Sequence, residues 1–280
     1  MTLIMKGSEV SASMKLKLAE EISHLGFTPS LAIIRVGSRP DDLAYERGIL
    51  KRFEGLGLNV KVHELPNDIS QADFDGEFSR LNDDKNVHGI LLFRPLPANL
   101  SDEFALNSIN PKKDIDCMSH VNIAKVFAGD NQAFAPCTAS AVMEMLAHYK
   151  FDLQGKNVVI IGRSLVVGRP LAMLMLAKNA TVTICHTKTQ NLTEICKRAD
   201  ILVAAAGKAG MITREFVSDK SVILDVGINV NSAGKLCGDV DYENVANIVQ
   251  AISPVPGGVG AVTTSVLAKN LIRAAKLNTN

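Results

Sequence analysis

The stretch NVVIIGRSLVVGRP, residues 157–170, decides the reading of the fold. A run of β-branched residues, Val158 to Ile161, leads straight into Gly162, and Pro170 stands where the first turn of a helix tolerates a missing N–H. A buried strand turning sharply into a helix is implied. Such a turn presents free backbone N–H groups and the positive end of a helix dipole, which suits the phosphates of a dinucleotide. The spacing is not GxGxxG, because Ser164 takes the place of the middle glycine and Gly168 lies further along. Taken alone, the string reads equally as a structural turn.

The sequence around it repeats the same rhythm. Downstream come a helix over PLAMLMLAKN, a strand TVTICH, a helix over LTEICKRA, and the strands DILVAAAG and SVILDVG. Strands this uniformly apolar, alternating with helices, predict a parallel sheet covered on both faces. Upstream, an amphipathic helix over residues 9–25 precedes LAIIRVG (31–37), a second helix, NVKVHEL, a third helix and VHGILLF (87–93), which the prolines of RPLPANL stop. Residues 111–137 are turn-rich and irregular, as befits a linker or a site-forming loop, and TASAVMEMLAHY after them is helical. The expected architecture is α/β in two domains, residues 1–118 and 119–280, with the C-terminal helix returning to the first.

Composition narrows the class of function. The 280 residues carry 30 Lys plus Arg against 29 Asp plus Glu, which leaves no excess charge to draw nucleic acid or an anionic membrane surface. No apolar run approaches the roughly 20 residues of a membrane span. The N-terminus lacks the basic, apolar and small-residue regions of a leader in that order, so a cytoplasmic location is expected. Five scattered cysteines show no CxxC pair, and no metal site is expected. A small molecule is the expected partner.

An NAD-selective site usually carries an acid about 20 residues beyond the glycine turn, on the ribose 2′-hydroxyl. Here the second strand ends in Cys185, His186, Thr187 and Lys188. Arg163 and Lys188 offer positive charge to a 2′-phosphate, which favours NADP and leaves NAD possible. An Arg and a Lys on loops also read as merely solvated groups.

Further strings extend over nearly the whole chain: VGSRPDDLAY with Tyr45, GILL followed by PLP, PKKDIDC with Asp116, PCTA, GRSLVVGRP, ATVTICHTKT, DVGIN, GDVDY and PVPGGVGAVTT. In this order they resemble the bifunctional methylenetetrahydrofolate dehydrogenase/cyclohydrolases. The resemblance implies an N-terminal βαβ catalytic domain and a C-terminal Rossmann-type domain, with tetrahydrofolate in the cleft between them and usually a homodimer. It implies that Tyr45 packs on the pterin and that Asp116 binds the aminopyrimidine edge. It also places Gly162, Arg163, Ser164, Gly168, Thr187 and Ile228 on the cofactor, and Pro256, Gly257, Gly258 and Gly260 at the border of folate and nicotinamide. The residues alone would read as a half-buried core tyrosine, a turn-capping aspartate and a tight glycine turn.

The chain departs from the family pattern at two telling places. The family has a lysine four residues after the tyrosine and a second two beyond; here these are Ile49 and Lys51. On a helix, i+4 shares the tyrosine's face, whereas i+6 is about 120° around the axis and Arg52, at i+7, lies about 10 Å further along. The family's GILVQLPLP reads GILLFRPLP, so Phe93 replaces the glutamine that partners the lysine, and Arg94 follows. Smaller departures are Cys117, Ala139, Ala261 and Val262, with Thr187 for serine. Hydride transfer from the bridging carbon needs mainly orientation, but hydrolysis of the methenyl bridge needs acid–base help. Three readings follow: a dehydrogenase whose cyclohydrolase activity is lost, a bifunctional enzyme rescued by Arg52 or Arg94 that makes 10-formyltetrahydrofolate, or a catalytically silent folate- or nucleotide-binding protein.

Overall fold

The structure, a computed structural model, describes residues 1–278. β1 (Leu3–Ile4) and α1 (Gly7–Ser23) open the chain, and β2 (Ser30–Val36), α2 (Pro40–Glu54), β3 (Asn59–Leu65), α3 (Gln71–Asp83) and β4 (Gly89–Leu92) follow in alternation. Next come α4 (Glu103–Ser108), α5 (His120–Phe127) and α6 (Cys137–His148). The series β5 (Asn157–Ile161), α7 (Gly168–Leu176), β6 (Thr181–Cys185), α8 (Leu192–Lys197), β7 (Ile201–Ala204) and β8 (Val222–Asp225) leads to a hairpin of β9 (Asn229–Val230) and β10 (Leu236–Cys237). The last elements are α9 (Tyr242–Val245), β11 (Ala251–Ile252) and α10 (Thr263–Asn278).

Two compact units result. One comprises Met1–Ser13 and Pro136–Thr263; the other comprises Met14–Ala135 and the chain from Thr264. In the latter, a parallel sheet of order β3-β2-β4 is built from the βαβαβ run. Position in the sheet explains the hydrophobic pattern. Central β2 is buried from Leu31 to Val36, whereas edge strand β3 alternates. Phe74, Phe78 and Leu81 of α3 pack with Ala32, Ile34, Ile90 and Leu92 into one core. Helix α2 is well signposted, with Pro40 in its first turn, Asp41 and Asp42 at the positive end of its dipole and Lys51 and Arg52 at the negative end.

The other unit holds a six-stranded parallel sheet of order β1-β11-β8-β7-β5-β6. β7 and β8 are buried throughout and β5 is buried from Val158 onward, while β6 at the edge exposes most of its length. Leu202, Ala204, Ile223 and Ile252 are completely buried in its core. Since β5 runs to β6 on one side and β7 lies on the other, the strand order reverses at β5, and this is where a doubly wound sheet opens a crevice.

Two expectations are corrected. Residues 111–137 are not irregular throughout, because α5 lies within them, started by Ser119, whose hydroxyl accepts the Asn122 N–H at 3.1 Å. The units exchange at Ala135/Pro136 and not after residue 118. The reason is that α5 is tied back to the three-stranded unit, with Asn122 Nδ2 donating to Pro111 O (3.0 Å) and to the Asp114 carboxylate (2.8 Å).

Candidate active site

In the three-stranded unit, Tyr45 of α2 is half-buried and its ring lies 5.7 Å from that of Phe93, tilted by 33°. Phe93 follows β4, and its N–H donates to Ile34 O at 2.9 Å, so both rings sit at the C-terminal end of the sheet. One turn further along α2, Ile49 is fully buried. The helix is held against the sheet by Arg35, a buried residue of β2 that pairs with Glu46 at 2.8 Å and with Glu64 at 3.1 Å. Burial alone would lower the Arg35 pKa, but the bonds to Glu46 and Glu64 raise it, so the guanidinium stays charged. Glu46 is the residue after Tyr45, and the ion pair therefore fixes the segment that presents the ring.

Asp116 is half-buried two residues beyond Asp114, whose backbone bridges to Ile90 of β4. The Asp114 carboxylate is buried and accepts from Met118 N–H (2.8 Å), Ser119 N–H (3.0 Å), Ser119 Oγ–H (2.6 Å) and Asn122 Nδ2 (2.8 Å). This knot sets the loop that displays Asp116. Within it Cys117 takes φ +58°, a conformation that costs a non-glycine residue about 1 kcal/mol or more. Its thiol pKa is pushed well up by burial and by the Asp114 and Asp116 carboxylates, with Arg94 opposing. Arg94, beside Phe93, and Asp116 thus both act on Cys117. Tyr45 and Phe93 thus meet at one end of this sheet, and Asp116 lies two residues past the bridge that joins Asp114 to β4. Arg94 itself pairs with Asp102 at 3.3 Å, and Lys51 points to solvent.

In the six-stranded unit, the turn after β5 is closely packed. Gly162 takes φ +132° and its N–H donates to Cys185 O at 2.9 Å. A Cβ on Gly168 would collide with the carbonyl oxygen of Gly162. Ser164 is explained by its hydroxyl, which accepts the Val167 N–H at 3.0 Å and closes the loop that a second glycine would otherwise turn. Arg163, Ser164, Leu165 and Val166 are exposed on this loop, as are Thr187 and Lys188 after β6. Ile228, following β8, is 71% exposed, and its Cδ1 lies 3.9 Å from where a Gly260 Cβ would stand. Pro256, Gly257 and Gly260 are exposed and Gly258 is buried, and the turn is tied down by Gly7 N–H donating to Gly257 O at 2.8 Å. The residues that the resemblance assigns to the cofactor thus stand at the C-terminal ends of β5, β6 and β8.

A family model described as the catalytic domain of tetrahydrofolate dehydrogenase/cyclohydrolase matches residues 5–116, and its companion NAD(P)-binding domain matches residues 136–279. The chain belongs to this family. "Bifunctional protein FolD" of Clostridioides difficile is 51% identical over 280 residues, covering 99% of this chain and 98% of that protein. The bifunctional dehydrogenase/cyclohydrolase of Campylobacter jejuni superposes with a TM-score of 0.96 at 37% identity, covering 99% of each chain. The Trypanosoma brucei dehydrogenase-cyclohydrolase, solved with NADP cofactor and inhibitor, gives a TM-score of 0.93 at 34% identity over 100% of this chain and 99% of that one. The NAD(P)-binding match begins at Pro136, where the second segment of the six-stranded unit also begins.

Within this family member the sequence reading passed over two buried acids. Asp239 is fully buried and Asp225 is 4% exposed. They appear in the strings GDVDY and DVGIN, but nothing in a local pattern reveals that the two side chains are neighbours. Burial pushes the Asp225 pKa up to about 6, with backbone N–H bonds from Val240, Asp239 and Gly227 opposing and the Asp239 charge adding to it. A carboxyl that binds its proton more tightly folded than unfolded contributes stability below its unfolded pKa, and that contribution is lost as pH rises through about 6. Urea unfolding of the wild type should therefore show stability falling between about pH 4 and 6 relative to Asp225→Asn, by about 2–3 kcal/mol. Parallel curves for the two proteins would remove this carboxyl as the cause. Among the described residues no cluster of three metal-ligating side chains exists and no helix is long and apolar enough to cross a membrane.

Proposed function

We propose that the protein oxidises 5,10-methylenetetrahydrofolate to 5,10-methenyltetrahydrofolate with NADP and does not accelerate hydrolysis of the product. The observation that carries this reading is the apolar pair Ile49 and Phe93, both buried, in a chain that keeps a half-buried Tyr45 and Asp116. Tyr45 offers an aromatic face to the pterin, and the Asp116 carboxylate accepts the paired donors of the aminopyrimidine edge. Together they fix the bridging carbon in orientation. The nitrogens on either side of that carbon stabilise the developing cation, so the protein needs no base for this step.

The residues present fit a dinucleotide. The Gly162–Gly168 turn packs backbone directly against backbone, and Arg163, Thr187 and Lys188 are exposed around it. NADP, when bound, accepts the hydride at C4 of its nicotinamide. The chain's part is to hold the pyrophosphate on backbone N–H groups, and to read the 2′-phosphate with Arg163. Arg163→Ala should weaken NADP by about 1.5–3 kcal/mol while leaving NAD nearly unchanged. Equal losses for both cofactors, measured by fluorescence titration, would show that Arg163 does not read the phosphate.

The reading takes the protein as a homodimer that works on a soluble substrate, in the cytoplasm. Edge strand β6 supports the dimer, since it leaves one side of its backbone unpaired and exposes Ile184. Sedimentation at a monomer's mass would overturn that part. The activity is tested by following methenyl absorbance with NADP and methylenetetrahydrofolate. No methenyl product at any cofactor concentration would leave a silent binding protein.

A further inference from the structure

We propose that Asp239 is a positioning residue for the nicotinamide half of the cofactor, holding together the loops after β7 and β8 on which that half rests. The inference builds on the dinucleotide reading above. With the pyrophosphate at the turn after β5 and the 2′-phosphate beside Thr187 and Lys188 after β6, the other half of the dinucleotide must run the opposite way across the switch point. That direction leads over the C-terminal ends of β7 and β8.

At those ends the backbone is organised by one side chain. Asp239 Oδ2 accepts Ala206 N–H at 2.6 Å and Gly207 N–H at 3.0 Å, and Oδ1 accepts Lys208 N–H at 2.8 Å. Three consecutive N–H groups of the loop after β7 therefore converge on a single carboxylate. Its Oδ1 also accepts Asn229 Nδ2 at 2.9 Å, which ties in the segment carrying Ile228 after β8. Asp225 completes the bracket, accepting Gly227 N–H (3.0 Å), Asp239 N–H (3.0 Å) and Val240 N–H (2.9 Å), while its own N–H donates to Ser253 Oγ at 2.9 Å. Ser253 begins the segment that continues into Gly257 and Gly260. A Cβ on Gly238 would strike the Asp225 carboxylate, so the space for the bracket is built into the chain.

A charged acceptor is needed because every partner is a donor. In Asp239→Asn one of the two oxygens becomes an NH₂ group facing backbone N–H groups, and a donor left against a donor buried from water cannot be satisfied. The loops then lose their fixed spacing, although neither touches the adenosine end.

The test compares NADP with 2′,5′-ADP, which keeps the adenosine and the 2′-phosphate but has no nicotinamide. Calorimetric titration of the full chain should show Asp239→Asn weakening NADP by about tenfold or more, with 2′,5′-ADP held within about twofold. Asn229→Ala, on a partly exposed hairpin residue, should move the same way by a smaller factor, and it decides the matter if Asp239→Asn does not fold. Equal weakening of both ligands would make Asp239 a structural residue only, and unchanged NADP binding in both variants would end the proposal outright. If the unaltered protein binds neither ligand, the cofactor reading itself fails and this inference falls with it. If the unaltered protein binds both ligands and the variants do not discriminate, only the inference is lost.

Discussion

Given NADP and 5,10-methylenetetrahydrofolate, the purified protein will build up 5,10-methenyltetrahydrofolate, and that product will disappear no faster than it does in buffer. Hydrolysis requires a water to be positioned and deprotonated and a proton to be delivered to the departing nitrogen. Positioned acid–base groups contribute about 100- to 10,000-fold to such steps, so their absence is easily measured. On the resemblance read from the sequence, the positions of the family's lysine and its glutamine partner fall on Ile49, which is fully buried, and on Phe93, whose ring packs against Tyr45. Neither can exchange a proton. Arg94 and Arg52 do not replace them as bases, because a guanidinium does not deprotonate in a protein, and Arg94 is already paired with Asp102.

The restoring experiment is correspondingly specific. Ile49→Lys alone places an unpaired ammonium where the wild type is fully buried, which should lower stability by several kcal/mol and depress the lysine pKa without producing much hydrolysis. Ile49→Lys with Phe93→Gln supplies a hydrogen-bonding partner in place of the ring and should raise methenyl hydrolysis well above either single change. The related proteins carry bifunctional names at about half identity, so this measurement bears directly on the chain's own residues. Rapid hydrolysis by the unaltered protein would sink the reading and turn attention to Arg52 or Arg94 as orienting groups.

What the sequence makes legible depends on whether a signal is local. Central strands such as β2, β5 and β8 announce themselves by the apolar runs Leu31 to Ile34, Val158 to Ile161 and Val222 to Leu224, because both faces are covered, and the glycine turn after β5 is spelled out in consecutive letters. β1 and β11 are two residues each and are strands only because Leu3 pairs with Ala251 and Ile4 with Ile252, partners from opposite ends of the chain. No periodicity can show them. α5 is hidden by the turn residues on both sides of a short helix, and with it the true place where the units exchange. The same limit applies at the site. Tyr45 and Asp116 are readable through family strings, whereas the Arg35–Glu46 clamp behind Tyr45 and the Asp239 bracket consist of contacts between residues 10 to 33 positions apart.

The other large effect is expected at Gly168, where alanine should weaken NADP and NAD alike by about 100- to 10,000-fold. The added methyl group has nowhere to go, since its nearest neighbours are the Gly162 carbonyl group and the Arg163 Cα, all of them backbone atoms that no rotamer change can move. Either the start of α7 or the loop from Gly162 to Val167 must shift, and overpacking of this kind costs the fold about 1–3 kcal/mol. The loss in binding is larger, because the shifted N–H groups are those proposed to meet the pyrophosphate, and each charge-assisted bond lost there is worth about 1.5–3 kcal/mol. The pyrophosphate is common to both cofactors, so selectivity should not change. Arg163→Ala, one turn of the loop away, should do the reverse and alter selectivity with a modest loss. A Gly168→Ala protein that melts close to the wild type and binds NADP normally would show that the dinucleotide does not sit on this turn.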